Sequence, residues 1–146
     1  MALKLTLRDA LKDSMKKRDG VRTETVRSLL SAIQYLEMEK SVEELSAEES
    51  VGVVQREAKK RREEIEFAEK AGRGETVSSL ERELAIIEEF LPKQLSRPEI
   101  VAILTELSAG LSSKNLGELM KLLKERHAGC YEGKMASEVA REVLGL

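Results

Sequence analysis

Apolar residues recur along this chain at intervals of three and four, the period of a helix with one face turned away from water. Leu7, Leu11, Ser14 and Met15 share the first such face, which predicts a helix beginning near Thr6 and stopping at Gly20. Val26, Leu29, Leu30, Ile33 and Leu36 predict a second helix from about Arg22 to Glu39. An acidic connector, Ser41–Leu45, leads to Ser46-Ala47-Glu48-Glu49. That run has the form of a capping box, in which a hydroxyl and the carboxylate three residues on each accept a first-turn backbone N–H. It opens the longest helix, whose seam of Val51, Val54, Ala58, Arg61, Ile65 and Ala68 is narrow and interrupted by an arginine. Such a seam belongs to a helix with much of its circumference in water. Ala71-Gly72-Arg73-Gly74 ends it, and Val77, Leu80, Leu84, Ile87 and Leu91 mark a fourth helix from about Glu75 to Phe90.

The chain's two prolines, Pro92 and Pro98, interrupt the helical pattern beyond this point. A residue before proline is steered out of helical geometry, so the fourth helix ends near Leu91. Ser96 and Glu99 form a second capping box, with Pro98 in the first turn, where its missing N–H costs little. Leu91 and Leu95 are apolar residues in a short connector, so Pro92–Ser96 reads as a joint with both leucines buried between two helical bodies, the alternative being an ordinary turn inside one domain. Three shorter helices complete the chain. Ile100, Val101, Ile103, Leu104 and Leu107 mark one closed by Gly110. Leu116, Leu119, Met120, Leu122 and Leu123 mark one capped by Ser113 or Asn115, and Met135, Val139, Val143 and Leu144 mark the last. The expected fold is all-α: an N-terminal four-helix bundle-like domain, residues 1–92, joined to a small three-helix domain, residues 96–146.

Composition narrows this picture. A chain of 146 residues, 41% hydrophobic and 36% charged, with 3% aromatics and no Trp, builds its cores from aliphatic side chains. The formal charge of −2 conceals segregation. Residues 1–27 carry eight Lys/Arg against four Asp/Glu, a net of +4, and residues 28–54 carry one against six, a net of −5. Residues 96–146 balance at seven each, so no segment is basic enough to announce nucleic-acid binding unaided. Cys130 is alone and no apolar run approaches the ~18 residues a bilayer requires, so a reducing, cytoplasmic setting without membrane insertion is expected.

Candidate chemistry is sparse. The single histidine, His127, lies three residues from Cys130 with no evident third group to orient it. One Cys and one His cannot supply a usual zinc ligand set, and no phosphate-cradling GxxxxGK[S/T] loop occurs. No catalytic residue, metal or other cofactor is expected. Two features remain. Lys59-Lys60-Arg61-Arg62 is either a phosphate-attracting patch or a solvated face balanced by Glu57, Glu63, Glu64 and Glu66. The loop from Gly129 to Lys134 is either a plain turn or an anion site, with Gly133 preceding a helix whose free N–H groups face an anion beside Lys134.

Several stretches together resemble the YqeY family. They are Val54–Arg73 with its Lys70-Ala71-Gly72-Arg73 turn, Glu81–Glu99 with its Phe90-Leu91-Pro92-Lys93-Gln94-Leu95 joint, Arg27–Ile33, Leu116–Met120 and Glu132-Gly133-Lys134. Members of that family are similar to the C-terminal helical and tail domains of the GatB subunit of tRNA-dependent amidotransferase. The resemblance implies a helical domain followed by a tail domain. In GatB the tail region contacts tRNA, while ammonia production and activation chemistry sit elsewhere. It therefore implies a non-catalytic tRNA-associated module, with Arg126, Gly129, Gly133 and Lys134 at the RNA and Lys59, Lys60, Arg61 and Arg62 as a second contact. A carbon–nitrogen ligase label, with glutamine as amido donor, reaches the chain by association alone. The alternative is an adaptor that docks on an amidotransferase or an aminoacyl-tRNA synthetase. The chain departs from the family pattern at Ala128 and Cys130, where basic residues are expected, and at Glu125, in place of proline. Two missing positive charges are expected to remove about 1–3 kcal/mol of phosphate contact.

Overall fold

The computed structural model describes residues 2–146, and these form seven α-helices with no strand among the described residues. They are α1 (Leu3–Lys16), α2 (Gly20–Lys40), α3 (Ala47–Lys70), α4 (Gly74–Glu88), α5 (Arg97–Ala109), α6 (Leu116–His127) and α7 (Gly133–Leu144). The all-α expectation holds. Both predicted capping boxes form: Ser46 and Glu49 open α3, and Ser96 and Glu99 open α5 around Pro98. Of the two candidates for capping α6, Asn115 does so, its side chain accepting the Glu118 N–H at 3.1 Å.

Two expected boundaries move. The first helix starts at Leu3 rather than Thr6, with Ala2 in the cap position and no side-chain cap hydrogen bond. Packing explains the earlier start, because Leu3 lies against the core one turn before Leu7. Gly20 does not stop a helix but begins α2. The chain reverses instead at Arg18, whose φ of 55° is left-handed, and Asp19 then caps α2 by accepting the Arg22 N–H at 3.1 Å. A carboxylate cap one residue before a glycine outweighs that glycine as a terminator.

The chain divides into two compact units, Met1–Leu91 and Pro92–Leu146, each with its own core. In the first, α2 touches α1, α3 and α4, and α3 packs along α4. Leu7, Leu29, Ile33, Val54 and Ile87 are fully buried there, and each side chain of this size withdrawn from water contributes about 1.5–3 kcal/mol. In the second, α5, α6 and α7 all touch one another around Ile100, Leu104, Leu119, Leu123 and Val139. The two leucines of the joint are half-buried: Leu91 packs on the first core and Leu95 on the second.

Candidate functional site

The loop between α6 and α7 is held by backbone geometry and by two residues that precede α5. Gly129 has a φ of 75°, the left-handed region in which a Cβ is strained, and the Cys130 N–H turns back to the His127 carbonyl at 3.1 Å. Gln94 Nε2 donates to the Gly129 carbonyl at 2.8 Å and to the Pro92 carbonyl at 2.9 Å. The Leu95 N–H donates to the Cys130 carbonyl at 2.6 Å. Neutral bonds of this kind each contribute about 0.5–1.5 kcal/mol and, more to the point, order a loop that would otherwise be mobile. Tyr131 and Met135 pack on the second core just beyond.

Around this ordered loop, Arg126, in the last turn of α6, and Lys134, in the first turn of α7, are both exposed. Lys124, Arg126 and His127 occupy the negative end of the α6 dipole, a stabilising position for cations. Gly133 is the first residue of α7, is exposed, and has nothing within 4 Å of where a Cβ would stand. Its lack of a side chain keeps the approach to the α7 N-terminus open. Glu132 takes the cap position of that helix without a side-chain cap hydrogen bond. Cys130 Sγ lies 3.6 Å from the Ala128 carbonyl, in the same turn as His127.

The other candidate cluster lies on α3, in the first unit, and its four cations do not share one face. Arg61 is turned inward, its side chain 13% exposed. It bonds Glu83 of α4 at 3.3 Å and Ser28 of α2 at 3.4 Å, and lies 3.9 Å from Glu57. Lys60 pairs with the same Glu57 at 3.0 Å. Lys59 is half-buried and Arg62 is exposed. The charges of Lys60 and Arg61 are thus matched by Glu57 and Glu83, which weakens the field available to a phosphate.

Gln94 is the residue at this site that the sequence pattern did not single out for a role. Its signal was its place between the proline and the leucine of the joint, and the loop it binds lies 35 residues away.

No curated protein matches the chain. The family model described as Yqey-like protein matches residues 4–144, nearly the whole chain, and the Lys70–Arg73 turn and the Pro92–Ser96 joint both lie within that match. The chain belongs to the YqeY family.

Proposed function

We propose that this protein is a non-catalytic, tRNA-associated binding module, with a four-helix bundle-like domain carrying a three-helix tail domain whose α6–α7 loop approaches the RNA backbone. The observation that carries this reading is the loop itself. Gln94 and Leu95 clamp the Gly129 and Cys130 carbonyls, so exposed Arg126 and Lys134 flank an ordered turn. Preordering matters because each side chain or loop immobilised only on binding subtracts from affinity. Family membership supports the reading through the likeness of YqeY proteins to the GatB tail. The run Lys59, Lys60, Arg61 and Arg62 is a secondary contact, weakened where Lys60 and Arg61 pair with glutamates.

The test is binding of the full chain to bulk tRNA, with duplex DNA as control, across a salt series. Micromolar binding that prefers tRNA and falls steeply with salt is expected. Arg126→Ala with Lys134→Ala lowers affinity about tenfold or more and flattens the salt slope by about two phosphate contacts. Gln94→Ala removes no charge but frees the loop, so it weakens binding several-fold and leaves the slope unchanged. An unchanged affinity and slope in the double variant overturns the reading.

The second reading, an adaptor for an amidotransferase or a synthetase, draws on a different observation: Met38 in the last turn of α2 and Val42 just beyond it are exposed near Glu39, Glu43 and Glu44. A stoichiometric protein partner, recovered from a pull-down without RNA, supports it.

A further inference from the structure

The solvent side of α3 carries a stripe that the rest of the first unit leaves uncovered. Arg56, Lys60, Glu63 and Phe67 follow one another at i, i+4, i+7 and i+11, the spacing of a single helix face, and all are exposed. Phe67 is 77% exposed, more than any other large apolar side chain among the described residues. One edge of the stripe borders a cleft of about 550 Å³ between α2 and α3. Ala32, Leu36 and Val53 line it, with Tyr35 and Glu39 on its α2 side and Arg56 on its α3 side. Phe67 lies farther along α3, about 16 Å from the level of Arg56. Charge changes sign on the way: Arg56, Lys59 and Lys60 precede Glu63 and Glu66. Neither Arg56 nor Glu63 has an ion-pair partner among the described residues, and Lys60 pairs with Glu57 at 3.0 Å. Arg61 is turned inward, and Arg62 lies roughly a third of the way around the helix from the stripe.

A helix face that is basic and then acidic matches itself when reversed. We propose that this face of α3 is a two-fold interface between two copies of this chain, their α3 helices antiparallel with the axis between Arg61 and Arg62. In that register each Lys60 faces Glu63 of the other copy and each Phe67 faces Arg56, so every member of the stripe gains a partner. Lys59 falls beside Glu66 on the flank. Lys70, three residues beyond Phe67, comes to the Val53 end of the cleft, where Glu39 supplies its counter-charge. The Phe67 ring then closes the mouth of the cleft, against the Arg56 guanidinium and the Tyr35 ring. Such a contact is isologous and closes on itself as a dimer. A face about 25 Å long and about 15 Å wide offers on the order of 400 Å² per copy. That is about half of a standard stable interface, so the dimer is reversible, with a Kd on the order of 0.1 mM. It covers Lys59 and Lys60, which therefore reach RNA only in the monomer.

Sedimentation equilibrium of the full chain, from about 1 μM to about 1 mM, tests this. A monomer–dimer equilibrium is expected, weakened several-fold when salt rises from about 0.05 M to about 0.5 M. Phe67→Ala removes an exposed ring that supports no core, and weakens the dimer about tenfold. Lys60→Glu sets like charges against Glu63 at both contacts and gives a monomer, and Glu63→Lys does the same against Lys60. An equimolar mixture of those two variants restores a dimer, because each altered stripe then meets its opposite. That rescue also shows that both variants are folded. A wild-type chain that stays monomeric throughout overturns the proposal, and if Lys60→Glu then lowers tRNA affinity, the stripe belongs to RNA instead. A dimer indifferent to Phe67→Ala or to the charge variants, a mixture that fails to associate, or growth into longer assemblies each overturns it as well.

Discussion

Lys4 and Glu37 form an ion pair largely withdrawn from water, with Nζ 2.8 Å from Oε1 and Glu37 only 5% exposed. The other carboxylate oxygen, Oε2, is buried with no hydrogen-bond partner among the described residues. Desolvation of such a pair offsets much of its attraction, whereas stranding one member does not let the other escape burial. Lys4→Met is therefore expected to cost about 3 kcal/mol, and Lys4→Met with Glu37→Leu to fall within about 1 kcal/mol of the wild type, both read from urea unfolding. Neither residue stood out in the chain, although Glu37 continues the spacing of Val26, Leu30 and Ile33 and so had to face inward. Arg61 was legible as a member of the α3 seam. Its partner Glu57, one helical turn earlier, was equally near in sequence, but Glu83 and Ser28 come from other helices.

At the scale of an element, the strongest local signals were the two capping boxes, and they also shape the acid response. Lys40 hydrogen-bonds Glu49, and with the bonds to Ser46 this lowers the Glu49 pKa from an ordinary 4.5 to about 2. The backbone N–H and then the hydroxyl of Ser96 lower that of Glu99 in the same direction. A carboxylate whose folded pKa is depressed adds stability above its unfolded pKa and loses it as pH falls through the folded value. Helix α3 is therefore expected to lose its cap contribution between about pH 4.5 and about pH 2. Glu49→Gln flattens the stability-against-pH curve in that window and leaves the slope near neutrality unchanged, as thermal melts across pH will show. Ser96→Ala costs about 1 kcal/mol and acts on α5. Element boundaries were less legible where packing competed with local chemistry: Leu3 lengthened α1 because a core was there to receive it.

The whole molecule has two cores, and a fault in one acts first on the unit that contains it. Leu104 is fully buried among α5, α6 and α7, so Leu104→Ala is expected to cost the second unit about 2–5 kcal/mol. A unit that begins at Pro92 and ends at Leu146 is small enough for such a loss to unfold it. Hydrogen exchange should then show protection lost across α5–α7 and retained in Leu29, Ile33 and Val54 of the first core. Because Gln94 and Leu95 tie the α6–α7 loop to the segment before α5, the same substitution abolishes the ordered loop on which the tRNA reading rests.

The sequence by itself determined the number and order of helices among the described residues, the two capping boxes, the turn at Ala71–Gly74 and the break in helical pattern at Pro92. Those features depend on residues within a turn or two of each other, where backbone propensity, side-chain caps and periodicity act without help from the rest of the chain. Only the tertiary structure decided that Arg61 turns inward to Glu83, that Lys4 meets Glu37, and that Gln94 and Leu95 hold Gly129 and Cys130. Each of those contacts joins groups 22 to 35 residues apart. Pairing over such distances requires the helices to be packed first, and packing selects among many charges of the same kind that a linear pattern cannot tell apart.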